Sequence, residues 1–299
     1  MGTIKKILVT GASGHLGNEL IPILSKSFTV VGVSRNRSIS NRPAKVEELK
    51  LDLSQKASIE KIVSLKPEII IHSAALSDVD FCQTHPEEAI RHNVKATEHI
   101  VESAKELDAC LIHISSDHVF DGNKDSSYTE LDATRPINIY GTTKLEAEAI
   151  VKNRLKKFII LRVSWIFGDV RRGFVNFVLE SAKKSEVIKI VSDKKSSPTY
   201  TFDLSIAIEF LINSAQFDGE VYHFTNSGQG CSWFEYAKEI LNLSGLKAVK
   251  LEPITLKELN LPAPRPKNSI LDNLKFLKFY KRPIRTWAEA LWECITRRR

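Results

Sequence analysis

Cysteine is scarce and irregularly placed. The four thiols, Cys82, Cys110, Cys231 and Cys294, form no C-x-x-C pair and no repeated spacing across 299 residues, which argues against a disulfide framework or a cysteine zinc site and suits a reducing compartment. Histidine offers no metal site in their place. His85, His92 and His99 recur every seven residues, about 10 Å along a helix and too far apart to share an ion, so no metal is expected. Long apolar runs are also missing, because residues such as His72 and Arg162 interrupt them; no membrane partner follows. The opening MGTIKKILVTG has neither a signal-peptide core nor a cleavage site, and Lys6 stands where a myristoylation signal needs Ser or Thr. A cytoplasmic protein is the expectation.

The net charge is +7, yet no basic run is interleaved with aromatics and no zinc-finger spacing or recognition-helix signature occurs, so no nucleic-acid partner is expected. The excess is spread over lysine-bearing helices and the terminal Arg297-Arg298-Arg299, a distribution that steers small anions. With 42% hydrophobic and 26% charged residues, the chain has the composition of a globular protein with a substantial core.

What is present is an alternation of short aliphatic runs with amphipathic stretches. Strands are predicted over residues 4–10, 28–34, 46–52, 68–74, 110–116 and 157–164, with helices near 15–26, 55–65, 86–107, 138–154 and 173–184. This order predicts an α/β doubly wound parallel sheet, a Rossmann fold. After about residue 165 come shorter strands at 187–191, 220–225 and 248–253 and helices near 201–213 and 232–243. They predict a smaller C-terminal α/β substrate lobe. The nucleotide-binding domain takes residues 1–165 with returns near 201–225, and the lobe takes 166–200 and 226–299. The run LPAPRPKNS has too many prolines for regular structure and reads as an extended segment laid across the surface. TWAEALWECI reads as a terminal amphipathic helix.

The first strand runs into Gly11-Ala12-Ser13-Gly14-His15-Leu16-Gly17 and then a helix. A strand, a glycine-rich turn and a helix N-terminus form a cradle for a pyrophosphate. The G-x-x-G-x-x-G spacing resembles that of the extended short-chain dehydrogenase/reductases. Where an NAD-specific site of this fold has a carboxylate after the second strand, the chain has Ser34-Arg35-Asn36-Arg37. Arg35 suits a 2′-phosphate, so NADP(H) is preferred, with NAD(H) the other cofactor of such folds. Within that resemblance, Asp52-Leu53 match the adenine position and Ala74-Ala75 the small residues beside the cofactor. Ser116, Tyr140 and Lys144 match the family's Ser/Thr and Tyr-x-x-x-Lys. Four residues place Tyr140 and Lys144 on one helix face, where the ammonium and an oxidised nicotinamide both favour the phenolate. Ser116 is then expected to hold the substrate oxygen.

The stretches ISSDHVFDG, RPINIYGTTKLEAE, LRVSWIFG, SSPTYTFDLS and RPKNSILD resemble, in order, those of the dTDP-4-dehydrorhamnose reductase family. That resemblance spans Ile4 to Trp292. It implies NAD(P)H-dependent reduction of a 4-keto nucleotide sugar, with Tyr140 protonating the C4 oxygen, Lys144 assisting, and Asp117, His118 and Trp165 at the sugar. For Arg265 two readings stay open, a partner of the diphosphate or a solvated loop arginine. His118 departs from the usual Tyr, and Lys194-Lys195-Ser196-Ser197 from the usual Gln-x-Gly. Glu19 matches a glutamate of a magnesium-bridged dimer in some members; a homodimer is an open expectation, whereas Glu19 itself reads more plainly as a surface helix residue. Asp117-His118 lacks the Asp-Glu of the related 4,6-dehydratases. One alternative of another class stays open. The regulatory beta subunit of methionine adenosyltransferase carries similar motifs and acts by binding a partner.

Overall fold

Ile7, Leu8 and Val9 are all fully buried, and consecutive burial along one strand requires a sheet covered on both faces. In the computed structural model, which describes residues 5–40, 42–168 and 173–297, they form β1 (Lys6–Thr10), followed by α1 (His15–Leu24), β2 (Thr29–Ser34), β3 (Glu47–Lys50), α2 (Ser58–Leu65) and β4 (Ile69–His72). Next come α3 (Val79–Thr84), α4 (Pro86–Ala89), a π-helical stretch (Ile90–Lys95), α5 (Ala96–Leu107) and β5 (Cys110–Ser116). A 3-10 turn (Asp117–Val119), α6 (Ile139–Arg154) and β6 (Phe158–Val163) complete this half.

The remainder holds β7 (Ile166–Phe167), α7 (Phe174–Ala182), β8 (Val187–Val191), β9 (Lys195–Ser196), β10 (Thr199–Tyr200), α8 (Thr201–Ser214) and β11 (Glu220–His223). It ends in β12 (Cys231–Ser232), α9 (Trp233–Leu243), β13 (Lys250–Ile254), α10 (Leu256–Leu259), α11 (Leu274–Tyr280) and α12 (Trp287–Thr296).

Seven strands make one sheet in the order β11-β6-β5-β4-β1-β2-β3, every neighbouring pair parallel. The expected doubly wound Rossmann sheet is present. Ile7 and Val9 face a core shared with Leu20 of α1 and Ile208 of α8, whereas Leu8 faces Ile62, Ile100 and Val151 of α2, α5 and α6. Strand order reverses between β1 and β4, which opens a crevice at their carboxyl ends. A second core joins Phe167, Val178, Ile190, Tyr236 and Leu291, beside small pairings of β8 with β13 and β9 with β12.

Two expectations need correction. The helix foreseen over 86–107 is broken by the π-helical stretch, which widens one turn to accommodate buried Asn93. The proline-rich segment is extended but does not merely lie on the surface: Ala263 and Ser269 are buried, Lys195 N–H donates to the Lys267 carbonyl at 2.7 Å, and the Asn138 amide donates to the Pro264 carbonyl at 2.9 Å. Proline has no N–H to desolvate, so such a segment is buried cheaply once its carbonyls are paired. Among the described residues no helix is long and apolar enough to cross a membrane.

Candidate active site

A cleft of about 600 Å³ opens where the strand order reverses, and the glycine turn forms one wall. Gly11 adopts a φ of +67°, and a Cβ there would lie 2.8 Å from the Ala74 nitrogen, so the β1–α1 turn and the β4 end approach as only glycine allows. Ser13, Gly14, His15 and Leu16 line the same wall. Gly17 does not line it; a Cβ on Gly17 would meet the Gly11 carbonyl at 2.5 Å, so this glycine seats α1 on the turn. Gly14 caps α1 without a side-chain hydrogen bond, leaving the helix N-terminus as an anion cradle.

Ser34 and Arg35 line the next stretch, joined by Arg37 and His92, two residues that sequence reasoning did not place in the site. Arg35 Nη1 lies 2.7 Å from His92 Nε2 and is exposed. The nearby carboxylate of Glu48 is already occupied: it accepts from Ser34 Oγ at 3.2 Å and Lys50 Nζ at 2.7 Å, and the Lys50 hydrogen bond holds it below the ordinary value. Asp52, Leu53, Ala74 and Ala75 complete this half of the cleft. Burial pushes the Asp52 carboxyl up, but hydrogen bonds from Ser54 carry it net below its ordinary value.

Ser116, Tyr140 and Lys144 converge on the other half. Ser116 ends β5, its hydroxyl donating to Asp117 Oδ1 at 3.1 Å and accepting from the His118 N–H at 3.2 Å. Tyr140 opens α6, whose cap is Asn138 with Oδ1 accepting from the Gly141 N–H at 2.8 Å. Lys144 Nζ donates to the Ile114 carbonyl at 2.7 Å. Burial lowers its pKa to about 8, opposed by Glu148. Burial drives the Tyr140 phenol up, and the Ser116 hydrogen bond opposes it; the lysine expected to do so points to a backbone carbonyl. Behind Lys144 lie His113, pushed well below its ordinary pKa by burial and by the ammonium, and His72, pushed down to about 3 by burial. Further along α6, Glu148 accepts from Arg162 at 2.8 and 2.7 Å and from Ser115 Oγ at 2.6 Å.

At the substrate end, buried Asp117 accepts from Ser164 Oγ at 2.7 Å. His118 and Trp165 line the cleft. Trp165 holds a positive φ of 40°, a strain that its packing on Tyr236 and Phe174, with ring centroids at 4.7 and 5.2 Å, sustains. Arg265 is placed differently from both of its readings. It does not line the cleft, and its guanidinium is bound in a bidentate pair to Asp80 at 2.8 and 3.0 Å. Asn93 was also missed: it ties the loop after β4 to α6, accepting from the Leu76 N–H at 2.7 Å and donating to Thr143 Oγ1 at 3.0 Å. An asparagine inside a helical stretch, where its propensity is poor, is the signal that points to it.

Comparison with known proteins places this geometry. The family model described as RmlD substrate binding domain matches residues 5–299. The spore coat polysaccharide biosynthesis protein SpsK of Bacillus subtilis (strain 168) is 32% identical over 295 residues, covering 98% of each chain. The dTDP-4-dehydrorhamnose reductase of Aggregatibacter actinomycetemcomitans is 31% identical over 298 residues, covering 96% of this chain and 97% of the relative. Among solved structures, the dTDP-4-dehydrorhamnose reductase of Bacillus anthracis str. Ames in complex with NADP superposes with a TM-score of 0.86 at 30% identity, covering 99% of this chain and all of the other. The chain belongs to the RmlD substrate-binding-domain family, among the extended short-chain dehydrogenase/reductases.

Proposed function

We propose that the chain is an NADPH-dependent reductase of the 4-keto group of a nucleotide-linked 6-deoxy sugar, of the dTDP-4-dehydrorhamnose type. The observation that carries the reading is the convergence of Ser116, Tyr140 and Lys144 on the cleft that the glycine turn also lines. The full-length match to reductases supports it and favours it over a regulatory binding subunit. The residues present fit the cofactor: Gly11, Ser13, Gly14, His15 and Leu16 would cradle the pyrophosphate, with Gly17 behind them. Ser34 and Arg35 would take the 2′-phosphate end, Asp52 and Leu53 the adenine side, and Ala74 and Ala75 the close face. Tyr140 and Lys144 would stand at the nicotinamide ribose. When bound, the cofactor supplies the hydride.

The chain's own part is positioning and proton transfer. Ser116 holds the substrate oxygen, and Tyr140 gives it a proton. A phenol raised by burial is in the right protonation state for reduction. Lys144, with one donor on the Ile114 carbonyl and another toward His113 Nε2 at 3.5 Å, keeps a third for the site. Asp117, His118 and Trp165 are assigned to the sugar. Arg265 is assigned to the diphosphate, reached by exchanging Asp80 for substrate.

The domain division belongs to the same proposal: the central sheet (1–165, with returns near 201–225) binds NADP, and the second core (166–200 and 226–299) binds substrate. A homodimer is also proposed, with Trp292 of α12, 57% exposed, among the apolar side chains it would cover. Light scattering tests this part, since a monomer mass of 33.7 kDa would overturn it. The reaction itself is tested by NADPH oxidation with dTDP-4-dehydrorhamnose.

A further inference from the structure

One amide fixes the tautomer of a histidine at the substrate end of the cleft. The two ends of the Asn138 side chain are distinguished by partners with a single role. Oδ1 accepts from the Gly141 N–H at 2.8 Å, and Nδ2 donates to the Pro264 carbonyl at 2.9 Å. A backbone N–H only donates and a carbonyl only accepts, so the amide has one orientation. The same Nδ2 lies 3.1 Å from His118 Nδ1. That ring nitrogen must accept, and the proton of the neutral imidazole sits on Nε2.

Nε2 makes no hydrogen bond with any described residue. His118 lines the cleft, its ring edge-on to Tyr140 with centroids 5.5 Å apart. The ring is held neutral: burial lowers its pKa to about 4, with Lys194 and Arg265 acting the same way and Asp117 opposing. With Tyr140, these are the titratable and charged groups that face it.

We infer that His118 is a specificity-determining residue that donates its Nε2–H to an oxygen of the substrate, and that Asn138 is the positioning residue that locks this tautomer. The inference rests on the reductase reading for the identity of the ligand. A tyrosine hydroxyl at this position would both donate and accept. The locked imidazole only donates, so the substrate oxygen it meets must accept.

Nuclear magnetic resonance of the full chain labelled with 15N-histidine tests the lock directly. The His118 signals, identified by their loss in His118→Tyr, are expected to show an unprotonated Nδ1 and a protonated Nε2 from about pH 6 to 8. Asn138→Asp keeps the helix cap but offers His118 an acceptor, so its Nδ1 becomes protonated and its pKa rises. Kinetics test the donation. His118→Leu is expected to raise the KM for dTDP-4-dehydrorhamnose about 3- to 10-fold, the worth of one hydrogen bond, while kcat changes less. His118→Gln, whose amide presents an N–H in the same region, recovers most of that loss, which a purely packing role would not allow. A proton on Nδ1 in the wild type, or a Gln variant no better than Leu, overturns the inference. If the wild type turns over no 4-keto-6-deoxy sugar nucleotide, the reductase reading fails instead, and the tautomer, measured without substrate, still decides the lock.

Discussion

Replacing Glu148 by Gln removes one charge from the pair that holds the catalytic helix against the sheet. Glu148 has no exposed surface and Arg162 only 3%. Two short hydrogen bonds join them, Ser115 Oγ donates to the same carboxylate, and Lys152 Nζ lies 3.5 Å from it. Deleting the carboxylate charge leaves a buried guanidinium without compensation, at a cost of about 3–5 kcal/mol. At roughly 2–4 °C per kcal/mol for chains approaching this size, the thermal midpoint falls by roughly 6–20 °C at pH 7. Glu148→Leu combined with Arg162→Met, which removes both charges, is expected to recover much of the loss. The sign with pH follows from the depressed folded pKa of Glu148, where the Arg162 hydrogen bonds overcome burial. Its contribution is complete above the unfolded value near 4.5 and is lost as pH falls through the lower folded value. Thermal unfolding across pH measures both effects. A fall below about 2 °C for Glu148→Gln at pH 7 would refute the claim that this pair anchors α6.

Arg35→Ala is expected to weaken NADPH binding about 10- to 100-fold, the worth of a charge-assisted hydrogen bond to phosphate, while NADH affinity barely moves; titration of both cofactors against the variant reads this, and an unchanged NADPH preference contradicts it. Gly11→Ala must place a Cβ 2.8 Å from the Ala74 nitrogen at a φ of +67°; the turn that lines the cleft relaxes away from this strain of roughly 1–2 kcal/mol, and bringing it back to hold the cofactor costs about 5- to 30-fold in affinity. Calorimetric NADPH binding checks it, and wild-type affinity would contradict the cradle.

Much of the fold was legible because a parallel sheet buried on both faces writes its strands as near-continuous aliphatic runs. CLIHISS became β5 over its full length, and of IKKILVT the described part forms β1 from Lys6 onward, Ile4 lying outside the described residues. The glycine turn was legible because its requirement is local. Features that depend on distant partners were not. Asn93 and Asn138 act through Leu76, Thr143, His118 and Pro264, contacts made by the assembled fold rather than by sequence neighbours. Arg265 read as a free cation, since nothing in the proline-rich run announces Asp80, 185 residues away. Helical spacing places Lys144 on the same face as Tyr140, but it does not tell that one of its ammonium donors goes to the Ile114 carbonyl.

We propose that Tyr140 delivers the proton in a reductase of 4-keto sugar nucleotides. The most direct test is NADPH oxidation with dTDP-4-dehydrorhamnose, with wild type and Tyr140→Phe run side by side at saturating cofactor. Turnover by the wild type and a loss of about 100- to 10,000-fold in kcat for the variant is the predicted result. Cofactor saturation without turnover by the wild type, or a Tyr140→Phe enzyme at full rate, would contradict it.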